Sequence, residues 1–310
     1  MGLDVTTDSE MGPPRILLYG SEKVGKTTLG ASIPGVVMVL SEDGLGKLNA
    51  PHFPVRTSID ALERDLESLA RESHQYECVV VDTITNIERL IHAEVDLSGQ
   101  RGLDSFGLRE KLALPIWRRV LSRLDACRAS GMAIVLIGHA RVDRFNDPLV
   151  GEYDRYSPRL TTTRTGDAAA LIVEWCDAVL FAHHRIRATK DKDGNVTDIG
   201  PVGSGGGDRI IRTVGGPACV AGNRYSMPEL IPLSWPAVLA ALTGETPAAP
   251  KPETPTPKVD TPADRKAMLE RAHAATGGNI RNVVSNGHSS LPKSAAKSNQ
   301  PKRAAQAARR

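Results

Sequence analysis

Residues 15–28 read Arg15-Ile16-Leu17-Leu18-Tyr19-Gly20-Ser21-Glu22-Lys23-Val24-Gly25-Lys26-Thr27-Thr28. An apolar run, Ile16–Tyr19, has the length of a buried strand and stops at a glycine. The eight residues from Gly20 to Thr27 then satisfy G-x-x-x-x-G-K-[ST] at every position, between a strand and the start of a helix. The glycines allow the backbone to curl, so that successive N–H groups point inward at the positive end of the following helix. Such a loop cradles phosphate groups. Gly20, Ser21, Glu22, Lys23, Val24, Gly25 and Thr28 supply its backbone, Lys26 a charge for the β- and γ-phosphates, and Thr27 a hydroxyl for Mg²⁺. The expected cofactors are ATP and Mg²⁺. Glycine-rich turns between strand and helix also occur without a ligand, and the complete motif in its proper context argues against that here.

Outward from this stretch, Arg15 to Phe181 alternates short β-branched runs with segments of helical period, the pattern of a mainly parallel sheet flanked by helices. Strands are predicted at Ile16–Tyr19, Val36–Leu40, Cys78–Val81, Ala133–Gly138 and Ala178–Phe181. Ile59, Leu62, Leu66 and Leu69 recur at helical spacing behind the cap Ser58, as do Leu112, Ile116, Val120, Leu121 and Leu124. Beyond Phe181, Arg185–Lys190 and Arg209–Val214 are predicted to form a β-hairpin across a turn-rich segment containing Asp193-Gly194 and Ser204-Gly205-Gly206-Gly207. A last helix is expected from the cap Ser234 to Leu242. The organisation is thus a flexible N-terminus (1–12), an α/β domain of the P-loop NTPase type (13–242), a Pro-rich linker (243–262) and a basic, largely disordered tail (263–310).

The bulk composition agrees. With 310 residues, 28 Gly and 21 Pro, the chain suits one large α/β domain with extensions. From residue 244 onward twelve Lys/Arg face five Asp/Glu, so this end carries +7 and the remainder −4. Cys78, Cys127, Cys176 and Cys219 form no CxxC pair and stand in apolar or helical stretches, which predicts buried free thiols. Neither a signal-like nor a membrane-spanning apolar run is present, so the expected location is cytoplasmic, without a membrane partner.

A phosphate cradle needs a second acid for its metal. Cys78-Val79-Val80-Val81-Asp82 ends an apolar strand with a carboxylate suited to holding Mg²⁺. The next residue is Thr83 rather than Glu, so the base that activates water must come from elsewhere. Glu42, just after the strand Val36–Leu40, is the candidate, with Asp43 second, because strand ends converge on the ligand in such sheets. A solvated loop acid is the alternative for Glu42. His139 ends the strand Ala133–Gly138, where it either touches the γ-phosphate or serves as a capped core histidine.

These residues together resemble the RecA-like ATPases of bacteriophages, the Sak-type single-strand annealing proteins and phage AAA-family ATPases among them, and more distantly RecA, RadA and KaiC. The resemblance covers about residues 13–242. It rests on the P-loop, Leu40-Ser41-Glu42-Asp43-Gly44, Asp82-Thr83, Ile137-Gly138-His139, Asp154-Arg155-Tyr156, Glu174-Trp175-Cys176-Asp177 and Gly222-Asn223-Arg224-Tyr225-Ser226-Met227-Pro228. It implies that Glu42 is the hydrolytic base and that His139 replaces the Gln that senses γ-phosphate. It also implies that Arg224 reaches the neighbouring subunit's nucleotide, which makes the active species a homo-oligomer, a ring or filament. Gly222 stands where the family has a Lys. Read by itself, Arg224 is equally an exposed turn residue in a surface ion pair.

In RecA-like proteins the loop after the fourth strand contacts DNA, which places single-stranded DNA on about Arg141–Gly166. Five arginines there (Arg141, Arg144, Arg155, Arg159 and Arg164) interleave with Phe145, Tyr153 and Tyr156, but four acids reduce the net charge to +1. A solvated loop with local ion pairs competes with that reading. The tail can bind nucleic acid by counterion release, act as a solubilising extension, or dock a single-strand binding protein. The function this implies is ATP-dependent binding of single-stranded DNA with annealing or strand pairing in phage recombination or replication. A helicase or loader motor and a nucleotide-gated protein-interaction switch are the two alternatives.

Overall fold

The computed structural model describes residues 11–105, 107–190, 196–201 and 208–245. The chain divides into two compact units, Met1–Pro252 and Glu253–Arg310, and every described residue belongs to the first. The readings made for the first ten residues and for the linker and tail beyond residue 245 lie outside the described residues.

In chain order the elements are β1 (Arg15–Gly20), α1 (Lys26–Ala31), β2 (Val36–Leu40), α2 (Ile59–Arg71), β3 (Cys78–Asp82), α3 (Ile84–Leu97), α4 (Leu108–Ala129), β4 (Ala133–Asp147), β5 (Gly151–Pro158), α5 (Ala168–Trp175), β6 (Ala178–His184), β7 (Ile186–Lys190), β8 (Val196–Pro201), β9 (Arg209–Arg212), β10 (Gly222–Asn223), β11 (Leu230–Pro232) and α6 (Trp235–Thr243). The sheet runs β11-β9-β6-β1-β4-β3-β2. Five consecutive strands, β6, β1, β4, β3 and the edge strand β2, are mutually parallel. The sheet was therefore legible as an α/β, mainly parallel one from the spacing of its apolar runs.

Both faces of the parallel strands are covered, which is why they read as continuous apolar runs rather than as alternations. Successive side chains point to opposite faces. Leu17, Tyr19, Val79, Val81, Ile134 and Leu136 join the core under α2, α3, α4 and α5. Ile16, Leu18, Val80, Val135 and Ile137 join a second core shared with α1 and α6. Helix α2 begins where its sequence asks: the Ser58 side chain accepts from the Ala61 N–H, and Ile59, Leu62, Leu66 and Leu69 are its buried stripe. Thr83 caps α3 in the same way by accepting from Asn86 N–H. All four cysteines are free and buried.

Two expectations require correction. The segment Arg141–Gly166 is not simply a loop. Strand β4 continues eight residues or more past the sheet and pairs antiparallel with β5, from Ala140↔Pro158 to Asp147↔Gly151, as a projecting ribbon. Cross-strand pairs hold it: Phe145 and Tyr153 rings lie 5.5 Å apart, and Arg144 donates to Glu152 at 2.9 Å. Its polar alternation hid it, because both of its faces are largely exposed. The second correction concerns the hairpin expected between 185–190 and 209–214. Strand β7 pairs instead with β8, from Ile186↔Pro201, whereas β9 pairs antiparallel with β6. Joining the main sheet buries Ile211 completely, and this apolar gain decides the pairing.

Candidate active site

The cradle forms because β1 is packed too closely against β6 for any side chain at its end. A Cβ on Gly20 would lie 2.0 Å from the Ala182 carbonyl oxygen. Lys23 and Gly25 then adopt left-handed backbone angles, φ 58° and 104°, which turn the loop back to the start of α1. Lys26 is 5% exposed and folds onto the loop, its Nζ donating to the carbonyls of Gly20 (3.0 Å) and Ser21 (2.7 Å). Burial lowers its pKa to about 8, against the opposing attraction of Asp82, Glu22 and Glu42. An ammonium so placed gains from an anionic ligand that restores its lost solvation.

Strand order then assembles the rest of the site. Because β4 lies between β1 and β3, the register pairs Gly20 with His139 and places Asp82 opposite Ile137. Thr27 Oγ1 donates to Asp82 Oδ2 at 2.8 Å. The other oxygen, Asp82 Oδ1, is buried and has no hydrogen-bond partner among the described residues. Desolvation raises the Asp82 pKa, only partly opposed by the Thr27 bond and by Lys26. A buried carboxylate with a vacant acceptor beside a threonine hydroxyl fits a hard divalent cation held by oxygen ligands. The peptide between Asp82 and Thr83 is cis.

Glu42 and His139 meet across the same cavity, Oε1 to Nε2 at 3.6 Å, although their strands are separated by β3. The His139 backbone N–H donates to Thr85 Oγ1 at 3.0 Å, and its ring Nδ1 is buried without a hydrogen-bond partner among the described residues. This cavity, about 340 Å³, is lined by Lys26, Thr27, Thr28, Glu42, Asp82 and His139 among others. Two larger cavities lie elsewhere, about 440 Å³ beside Arg224 and about 460 Å³ between the ribbon and α5. Among the cavities of the described residues, the smaller one alone brings a lysine, a hydroxyl, two carboxylates and an imidazole together, and chemistry outweighs volume in choosing it.

Sequence reasoning missed three contributors. Ser41 Oγ donates to the Thr83 carbonyl (2.9 Å) and accepts from the Thr83 N–H (3.0 Å), while Asn86 donates to the Ser41 carbonyl. These bonds fasten the end of β2 to that of β3 and so fix where Glu42 begins. The position of Ser41 directly before Glu42 was the available signal. Glu88 on α3 accepts from the Thr161 N–H at 2.8 Å, joining this layer to the segment after the ribbon. Arg209 reaches the outer rim of the cradle, its Nη1 3.4 Å from the Val24 carbonyl oxygen, and nothing local in the sequence marks it.

Asp43 does not line the cavity. Arg224 lies at the opposite end of the sheet from the cradle, five strand residues or ~17 Å away along β1. There it donates to Asp177 at 3.0 Å, as does Arg15 at 2.9 Å, with Arg128 3.6 Å away. Burial pushes the Asp177 pKa up, but the Arg15 hydrogen bonds and the surrounding guanidinium charges outweigh it, and the net shift is downward. Gly222 sits on β10, and a Cβ there would meet nothing within 4 Å among the described residues. On the ribbon, Arg141 pairs with Asp143 and Arg144 with Glu152 and Asp154, while the Arg155 guanidinium lies 4.0 Å from the Phe145 ring centre. Arg159 and Arg164 have no carboxylate partner among the described residues.

A parallel α/β sheet with a glycine-bounded loop, its buried lysine and a buried carboxylate at the end of β3, across the intervening β4, defines a P-loop nucleotide-binding ATPase. Within that class the chain belongs to the AAA domain family, whose sequence model matches residues 12–225. The match runs from just before β1 to Tyr225 and so contains every residue of the site. No curated protein matches the chain significantly. Among the described residues no helix is long and apolar enough to cross a membrane.

Proposed function

We propose that this ATPase hydrolyses Mg-ATP and couples that cycle to binding single-stranded DNA, promoting annealing or strand pairing in phage recombination or replication in the host cytoplasm. One observation carries the proposal: β4 holds His139 in the nucleotide cavity and then continues without a break into the arginine- and aromatic-bearing ribbon. A change at the phosphates that moves His139 therefore has a direct mechanical route to the ribbon, and Arg159 N–H donates to the His139 carbonyl at the ribbon's base.

Lys26 and the loop N–H groups bind and orient the phosphates. Thr27 and Asp82 would hold Mg²⁺, whose charge supports the developing negative charge on the phosphate oxygens. Glu42 takes the proton of the attacking water, and His139, within reach of Glu42, keeps that carboxylate oriented. Arg224 acts on a neighbouring copy's nucleotide in a homo-oligomer, after leaving Asp177. DNA follows Arg159, Arg164 and the Phe145–Tyr153 face, with the basic tail adding phosphate contacts and a docking point for a single-strand binding protein.

The test is the ATPase rate with and without single-stranded oligonucleotides, and DNA affinity at two salt concentrations with and without ATP. Stimulation by single strands and nucleotide-dependent affinity support the proposal. ATP hydrolysis that ignores DNA, with no DNA binding in any nucleotide state, refutes it. That result would favour the protein-interaction switch, which draws on the apolar ribbon tip, where Leu149 is 93% and Val150 71% exposed.

A further inference from the structure

A second cavity adjoins the cradle from the side opposite Glu42 and His139. It measures about 240 Å³ and is lined by Arg185, Asp208, Arg209, Leu230 and Pro232, at the edge where β9 meets β11. Arg209 is shared between the two places. It lines this cavity, yet its Nη1 is 3.4 Å from the Val24 carbonyl oxygen and would lie 2.6 Å from a Cβ on Gly25. Leu233 Cδ2 would be 3.7 Å from that same Cβ, so the β9–β11 edge abuts the cradle rim directly. The register confirms the level, since Gly20 pairs with Ala182 on β6 and Arg209 with His184 two residues beyond.

Geometry sets the direction of a bound nucleotide. Its terminal phosphate belongs where Asp82, Glu42 and His139 converge, on the β3–β4 side of the cradle. Its nucleoside must then leave on the other side, over the rim toward β6 and β9. We infer that the β9–β11 cavity receives the nucleobase and ribose, with Arg209 as the residue that positions the base. A guanidinium is planar and weakly hydrated, and it stacks on aromatic rings where an ammonium does not. Leu230 and Pro232 offer apolar surface, and Asp208, 3.8 Å from Arg185, offers an acceptor to a base amino group.

The inference rests on the ATP reading above, and the experiment separates the two. Calorimetric titration of the full chain with Mg-ATP and with Mg-tripolyphosphate compares wild type with Arg209→Ala and Arg209→Lys. Both variants should bind ATP about tenfold more weakly, because lysine keeps the charge but lacks the plane, while tripolyphosphate binding should be unchanged. A wild-type-like Arg209→Lys, or equal weakening of tripolyphosphate by Arg209→Ala, would reduce Arg209 to a phosphate counter-charge and overturn the inference. So would ATP binding by Arg209→Ala at wild-type strength. Wild-type protein that binds no ATP would overturn the ATP reading as well. Arg209 is exposed and its one bond to the loop is long, so folding of both variants is expected to survive.

Discussion

Glu42 Oε1, just past the end of β2, and His139 Nε2, where β4 leaves the main sheet for the ribbon, stand 3.6 Å apart although β2 and β4 are not neighbours in the sheet. Strand β3 lies between them and ends at Asp82, so two carboxylates and an imidazole share one rim. If Glu42 is the base, Glu42→Gln should keep ATP affinity within about twofold and lower kcat by roughly 10²–10⁴. His139→Ala should lower kcat less and weaken the response to DNA. Single-turnover hydrolysis checks both, and normal turnover by Glu42→Gln would remove the base assignment.

Lys26 gives ATP binding a pH dependence. In the free protein its pKa is lowered to about 8 by burial, and a bound polyphosphate, as a nearby negative charge, should raise it again. The protonated form binds ATP, so affinity should be level below the free pKa and fall as pH rises through about 8, by at most about tenfold per pH unit. Titrations between pH 7 and 9.5 read this directly. A flat profile would show that the ammonium is not the group ATP meets.

Asp82 is expected to trade stability for function. Its folded-state pKa is raised by desolvation, so the folded protein holds its proton more tightly than the unfolded chain does. The sign follows: below the ordinary carboxylate pKa the group costs nothing, and stability falls as pH rises through the raised value, leaving the cost in place at neutral pH. Asp82→Asn keeps an acceptor for Thr27 Oγ1 and removes that charge. It should stabilise the metal-free protein by about 1–2 kcal/mol while abolishing Mg-ATP turnover. Thermal melts with and without Mg-ATP test both halves, and a destabilised variant would contradict the first.

Gly222 has room for a side chain and needs no special backbone angle. If the neighbouring subunit's nucleotide is its target, Gly222→Lys should raise the DNA-stimulated rate several-fold without changing the melting temperature by more than a few degrees. Arg224→Ala should abolish the stimulated rate and leave monomer ATP binding intact. Mixing Arg224→Ala with Lys26→Ala protein then distinguishes action in trans, since only trans action restores activity in mixed oligomers.

The arginines of the ribbon and of the segment after it fall into paired and unpaired sets. Arg144 is engaged by Glu152 and Asp154, whereas Arg159 and Arg164 are not engaged by any described carboxylate. Arg159→Ala should weaken single-stranded DNA binding and reduce the salt slope by about 0.7, and Arg144→Ala should change it much less. Equal effects would mean that the ion pairs open on DNA.

The cradle was legible residue by residue because its chemistry is local: Gly20, Gly25, Lys26 and Thr27 must sit at fixed spacing for backbone N–H groups to converge. The central strands were legible for a related reason. Strands buried on both faces must be apolar throughout, so Val36–Leu40 and Cys78–Asp82 announce themselves. The ribbon and the β9 pairing were not legible, since a strand exposed on both faces carries no apolar period, and the partner of β9 depends on what Ile211 can bury.

The sequence by itself therefore determined the glycine-bounded loop after β1, the parallel sheet and the acids at its strand ends, because each follows from short-range spacing and apolar content. Only the tertiary structure decided which of those groups meet. The order β1-β4-β3-β2 brings His139 between Gly20 and Asp82 and within 3.6 Å of Glu42, places Arg209 on the cradle's outer rim, and draws Arg224 to Asp177 at the far end. Strand order is settled by the burial of whole faces summed over the fold, and no local run of residues records that sum.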